Sequence, residues 1–455
     1  MSAALESLAR LRAEGPRDRT ADLPAKLLAE HLNGLHEEAY AAFLEQGIPT
    51  RRLESWKGTN LARLEAMDFA RIGPNGPSSS AAVSTAEDLD LVFMDGRLLD
   101  ASVSRADLPL GVRVLSLAEA AIEDPEMVQR YLGRLPDLKK ESLAALQTAF
   151  FEDAAIVHLD AQASATRPIR IRSIATSSST PGSTSSEATA PSAAFPRLLV
   201  IAGAESDATI VFESVSEEGA NGLTAFVAEY HLARGARVET VQLQAETGDR
   251  VHFTSTHAHL DGDARFDSHV LSLGDGLVRS ELAVTLAEPG AQTKMCGFFL
   301  GRNQAHIDHF TTVDHAAEHC TSDEEYRGVL DDESKGVFRG LVIIRPGAQK
   351  SDARQSNPNL LLSNHASIDT KPQLEIYADD VRASHGSTIG QLDPDALFFL
   401  QARGIEESVA RLVLTRGFAQ AIVEGIDHEV VRAMVSAQIE EALESLHPAD
   451  PRSTG

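Results

Sequence analysis

The sequence predicts a mainly β protein whose long β core is flanked by helical regions, and three observations carry that reading. From about residue 155, short alternating apolar segments follow one another for over 200 residues, as at Ile169–Ile171, Leu198–Ile201, Phe226–His231, Phe253–Leu260, Phe338–Ile344 and Leu374–Tyr377. Their starts fall roughly 12–15 residues apart with no helix-sized stretch between them. Helical spacing of apolar residues is confined to stretches before about 151 and after 392. A doubly wound α/β fold is excluded, because its successive parallel strands need a helix between them. Pattern alone leaves two architectures, a large antiparallel sandwich or a parallel β-helix. The spacing favours stacked coils, but no strict repeat decides.

The elements can be justified in order. Residues 1–154 read as a mainly helical N-terminal region. Leu23, Leu27, Leu28, His31 and Leu32, then Ala39, Ala42, Phe43 and Leu44, recur at helical spacing until Pro49 stops them. A Gly/Pro/Ser loop covers 72–86, and 89–99 alternate like a strand entering a tight turn at Asp95-Gly96. Residues 115–151 return to helix, through Leu115, Leu117, Ala121, Leu143, Leu146 and Phe150. The β core is expected over 155–391. Within it the Ser/Thr/Pro-rich segment 174–194 cannot build a core and reads as a mobile surface loop between two strands.

A C-terminal helical domain is expected over 392–455. Asp393 caps its first helix with Pro394 at the first position, and Phe398, Phe399 and Leu400 lead to Gly404 as the stop. A second helix runs from about Glu406 to Gly425, and a third, after Asp427, sets Val431, Met434, Val435, Ile439, Ala442, Leu443 and Leu446 on one face. These apolar faces must be buried, on each other or on a partner.

Composition narrows the function classes. The 455 residues carry 67 acids against 41 bases, a net charge of −26, which repels nucleic acid and anionic membranes. Two cysteines, Cys296 and Cys320, exclude a disulfide framework and a four-cysteine metal site in one copy. No apolar run suits a signal peptide or a membrane span, so the chain reads as soluble and cytoplasmic. There is no Walker A loop, strand-linked GxGxxG or GxSxG elbow, so energy coupling must come from another subunit.

Metal chemistry has candidates. His252, His257, His259 and His269 lie close in sequence, as do His306, His309, His315 and His319. On a strand His257 and His259 share a face, as do His306 and Asp308, so imidazoles and a carboxylate on neighbouring coils could hold zinc or iron. No closed metal motif matches their spacing. Cys320 has five acids nearby, which raise a thiol's pKa, and Cys296 reads as core filler. His385, in ADDVRASHGSTIGQLD, ends the β core and is either a turn residue beside Gly386 or a ligand at its edge.

At these residues the chain resembles a known family. NLLLSNHASIDTKPQLEIYADDVRASHGSTIGQLDPDALFFLQARGI, continuing to LVLTRGFAQAIVEGI, with GVFRGLVIIRPGAQKSDARQSN upstream, is similar to the SufB/SufD family of iron–sulfur cluster assembly proteins. GIPTRRLESWKGTNLARL resembles the entry segment of its SufD branch. The resemblance spans about residues 47–426 and implies a right-handed parallel β-helix core between helical regions. It implies a non-catalytic scaffold that pairs with a SufB-like subunit and binds a SufC-like ATPase through its C-terminal helices, where Phe398, Phe399, Arg403, Gly404, Arg416, Gly417 and Phe418 are the matching residues. It makes His385 a ligand to iron or a transient iron–sulfur cluster at the SufB interface. It also carries a reduced flavin on the complex, although nothing in this sequence marks a flavin site, and it leaves room for a homodimer of the isolated chain. The sequence departs from relatives at Ala383, where some carry cysteine, and at Gly58, where many carry tyrosine. Set against this family, the chain's own pattern leaves two other readings: a metal-dependent β-helix enzyme acting on acidic polysaccharides, and an autonomous iron or zinc carrier.

Overall fold

A computed structural model of the chain describes residues 2–13, 26–70, 91–99, 108–177 and 191–446. Its core consists of two sheets of ten strands. The first runs through Arg97–Leu98, Leu91–Met94, Ile169–Ala175, Asp207–Ser216, Arg237–Ala245, Arg265–Ser272, Gln292–Gly301, Thr321–Leu330, Asp352–Leu361 and Arg382–Gly390. The second runs back from Ser367–Ile376 through Lys335–Ile344, His306–His315, Leu277–Leu286, Val251–Leu260, Gly222–Leu232, Arg197–Ala202 and Ala155–Leu159 to Val112–Ser116. Ser192–Ala194 lies beside Gly222–Leu232.

From Arg197 onward the chain alternates between the sheets and pairs in parallel throughout. Each coil therefore gives one strand to each sheet, which makes the core a parallel β-helix and removes the antiparallel sandwich. Arg237 sits opposite Arg265, which is followed coil by coil by Gln292, Thr321, Asp352 and Arg382. A coil thus takes roughly 30 residues, and the spacing read from the sequence is half a coil. Corners are built on left-handed residues, Glu205, Asp263, Asn303 and Asp332 among them, a conformation that Asp and Asn tolerate better than most.

Inside the solenoid Phe212, Phe226, Tyr230, Phe266, Val313, Phe338 and Ile344 form a continuous apolar core. The helices lie on its two outer faces. In the N-terminal region α1 (Ala3–Ala13), α2 (Lys26–Gln46), α3 (Ala62–Glu65), α4 (Leu117–Glu123), α5 (Pro125–Tyr131) and α6 (Ser142–Phe150) form one layer. Leu32, Phe43, Trp56, Val128 and Leu146 pack there against Leu199, Leu223, Val251 and Phe253 of the second sheet. At the other end α7 (Pro394–Gln401), α8 (Glu407–Val423) and α9 (Glu429–Glu444) follow the last strand. Ile422, Val423, Val431, Val435, Ile439 and Leu443 bury against Val241, Leu271, Cys296, Phe298 and Leu300 of the first sheet.

Several expectations change in detail. The apolar stripe of α9 and the C-terminal half of α8 are covered by the solenoid itself, whereas α7 buries no residue and, together with Val409 and Val413 of α8, leaves apolar side chains exposed. The helical stretch 115–151 is three helices. Ser116 and Glu119 form a capping box on α4, and Asp124 with Pro125 ends it and starts α5. The Asp95-Gly96 turn is present, with φ of 50° and 83°, as a two-residue hairpin requires. The loop expected at 72–86 lies outside the described residues, as do 178–190 of the Ser/Thr/Pro-rich segment; that segment's described ends lie in or next to the strands Ile169–Ala175 and Ser192–Ala194.

Candidate functional site

The last coil is the open end of the solenoid. Ser367–Ile376 and Arg382–Gly390 each pair with one strand in their sheet and leave the other edge free. Most of their side chains are exposed, Ile376 and Ile389 among them, as is Tyr377 just past the first of the two. An exposed parallel edge offers a row of unpaired backbone groups to another chain. His385 lies midway along the final strand and is exposed.

Strand alternation fixes which way this row faces. Ala353 and Ala383 are paired and both contact the interior core. Two residues on, Gln355 and His385 are likewise paired, so they share the interior-facing side. Beneath them Glu324 is fully buried. Gln355 Nε2 donates to Glu324 Oε2 at 2.6 Å, and the Thr311 hydroxyl donates to Oε1 at 2.5 Å. Burial pushes the Glu324 carboxyl up to about 7, with these two hydrogen bonds pulling the other way. The Gln355 side chain fits because residue 340 is glycine: a Cβ there would stand 1.9 Å from Gln355 Nε2. Sequence reading missed this group. Its one signal was parity, since Ser322, Glu324 and Tyr326 are buried while Thr321 and Asp323 are exposed.

The residues matched to ATPase binding divide into two sets. Phe398 and Phe399 are 70% and 54% exposed on α7, and Arg403 lies over the Phe399 ring at 3.2 Å while donating to the Phe399 carbonyl. Gly404, at φ +84°, ends this turn with open space around it. These four form one exposed apolar and cationic surface. Arg416 pairs with Glu444 and ties α8 to α9. Gly417 is exposed, whereas Phe418 turns toward the solenoid, where Arg327 lies over its ring and donates to its carbonyl.

The histidine clusters disperse. His252 is held by Glu246 and Thr254, His257 by Glu141, and His269 by Glu239 beneath the start of α9. Burial lowers His306, His309 and His315 to about 4 each. His306 contacts Thr59, His309 lies between Phe299 and Tyr326, and His315 contacts Ser322 and Ser351. His259 stands near Asp261, and His319 occupies a left-handed corner. Among the described residues no three His, Cys, Asp or Glu side chains gather at one point. Both thiols are buried, Cys296 being pushed up to about 12 by burial against the C-terminal helices. Burial, rather than the nearby acids, raises Cys320. Gly58 now has a reason: a Cβ there would press on both Val337 methyls at 3.0 Å.

The comparisons agree with this architecture. The family model described as SUF system FeS cluster assembly, SufBD core domain, matches residues 183–418, and that of the SufBD protein N-terminal region matches 18–171. The chain therefore belongs to the SufBD family of iron–sulfur cluster assembly proteins. Within it the chain is SufD-like. It is 29% identical to the iron–sulfur cluster assembly protein SufD of Escherichia coli, over 88% of this chain and 90% of that one. It is also 29% identical to an iron–sulfur cluster assembly SufBD family protein of Synechocystis, over 83% and 84% of the two chains. SufD of Bacillus subtilis is 23% identical over 86% of this chain and 88% of its own. No helix among the described residues is long and apolar enough to cross a membrane.

Proposed function

We propose that this chain is the SufD-like, non-catalytic scaffold subunit of a cytoplasmic SufBCD-type complex, pairing with a SufB-like subunit and binding a SufC-like ATPase. The observation that carries the reading is the open terminal coil, a free parallel edge with apolar Ile376, Tyr377 and Ile389 beside it and His385 on its last strand. A SufB-like partner adding strands there would satisfy the edge and cover these side chains. The same edge would accept a second copy when the partner is absent, which favours a homodimer of the isolated chain.

His385 is then the residue this chain contributes to iron or a nascent cluster, its neutral imidazole supplying one ligand and the partner supplying thiolate. Cys296 and Cys320 do not serve that purpose, because both are buried away from the terminal coil. The exposed surface of Phe398, Phe399, Arg403 and Gly404 fits the ATPase, with Arg416, Gly417 and Phe418 shaping the helix behind it. A reduced flavin on the complex would need walls from the partner subunits, because Ser384, Gly386, Ser387 and Thr388 around His385 are exposed.

Co-expression with SufB-like and SufC-like subunits, followed by size exclusion and iron and sulfide quantification, tests the reading. A ternary complex that carries cluster is expected, and His385→Ala should keep the complex while losing most of the cluster. A chain that elutes alone in the presence of both partners refutes the proposal, and full cluster yield in His385→Ala removes that residue from the site.

A further inference from the structure

We propose that Gln355 is a positioning residue for His385: its side-chain oxygen accepts the imidazole Nδ1–H and so leaves the Nε2 lone pair to face the metal. This rests on the reading of His385 as a ligand. The argument begins at the far end of the carboxamide. Gln355 Nε2 is committed to Glu324 Oε2 at 2.6 Å, and Glu324 Oε1 is committed to Thr311. Reversing the amide would set oxygen against oxygen, so the nitrogen end is fixed. Protonation of Glu324 does not reverse it. Its proton can pass toward Thr311, whose hydroxyl has the Arg339 carbonyl at 3.5 Å as a second acceptor. The cleft at Gly340 holds the amide in this place, since any Cβ there would displace it.

With the nitrogen committed, Gln355 Oε1 is a buried acceptor without a partner. A buried carbonyl left unpaired carries the full cost of its lost hydration, so a donor within reach is favoured. Register supplies one. His385 is the strand partner of Gln355 on the same interior-facing side, about 4.8 Å away along the stack. An imidazole turned down from its exposed position brings Nδ1–H over that oxygen. A histidine that binds metal through one ring nitrogen commonly donates its other N–H to such an acceptor, which sets tautomer and ring orientation. In this chain Thr311, Glu324 and Gln355 form a fixed column ending on that acceptor.

The test reads the tautomer directly. In the ¹⁵N-labelled full chain, long-range ¹H–¹⁵N correlation spectra identify the His385 ring by its disappearance in His385→Gln. The wild type is expected to hold the Nδ1–H tautomer. Gln355→Met, close in volume but without the acceptor, should lose it, and Gln355→Glu, which keeps an acceptor, should restore it. Glu324→Gln is a second variant should Gln355→Met not fold: it lets the amide present either end and should give mixed tautomers. In the reconstituted complex, iron retention should fall roughly tenfold in Gln355→Met and recover in Gln355→Glu. An unchanged His385 tautomer in Gln355→Met, or in Glu324→Gln where that variant stands in, overturns the inference. The underlying ligand reading fails separately, as full iron retention in His385→Ala.

Discussion

Replacing Glu324 by glutamine should flatten one limb of the protein's stability–pH profile. Glu324 is fully buried with no cationic partner among the described residues, and burial pushes its carboxyl up to about 7 from an ordinary 4.5. The folded state therefore holds a proton that the unfolded chain has released by pH 6. Below 4.5 both states are protonated and the residue carries no penalty. As pH rises from 4.5 towards 7 the unfolded chain gives up this proton while the folded state keeps it, so stability falls, and above the folded value it stays at the lower level. The difference between 7 and 4.5 converts to about 3 kcal/mol, fully developed above about pH 8. Glutamine keeps partners for Thr311 and Gln355 but carries no ionisable group. Urea unfolding followed by circular dichroism from pH 4.5 to 8.5 measures the effect. The stability of Glu324→Gln relative to wild type should rise by about 3 kcal/mol across that range. Parallel curves would show that Glu324 ionises alike in the folded and unfolded chain, and that its burial does not raise its carboxyl.

Other expectations follow from the same geometry. Phe398→Asp with Phe399→Asp changes two exposed side chains, so the unfolding free energy from urea titration should change by no more than about 0.5 kcal/mol each, while ATPase capture in a pull-down is lost. Glu229→Gln should cost about 3–5 kcal/mol in urea unfolding, because it strands fully buried Arg197, whose guanidinium donates to Glu229 at 2.6 Å. Burial alone would raise the Glu229 carboxyl, but Arg197 and the backbone N–H groups of Leu135 and Gly133 hold it low. Gly58→Ala should cost about 1–3 kcal/mol through contact with Val337, and Val337→Ala in the same chain should recover part of that loss.

Much of the architecture was legible because it depends on local chemistry. Asp393-Pro394, Asp95-Gly96 and the alternating segments from Ile169 to Tyr377 specify caps, turns and strands through their own backbone preferences. The choice between sandwich and β-helix was not, because it depends on which segment pairs with which, a non-local fact that a coil of about 30 residues without strict repeat conceals. The destination of the C-terminal helices was hidden for the same reason. Val431, Val435 and Ile439 announce an apolar stripe, but that it meets Leu271 and Phe298 is decided by tertiary packing. The histidines misled in the opposite direction. Closeness in sequence put His252, His257 and His269 in one cluster, while strand alternation and the passage between sheets send them to separate partners. His385 was found through resemblance, and the column under it only through register.

The two helical layers cover the faces of the solenoid and leave its last coil with a neighbour on one side only. In such a quasi-one-dimensional stack, stability is close to a sum of nearest-neighbour terms, so the final coil lacks half of its share. It should be the first segment to exchange its amide hydrogens, opening well below the global unfolding free energy. Whatever docks on it supplies the missing neighbour. Association would then count as one more step in folding, and the order around His385 would depend on subunit concentration.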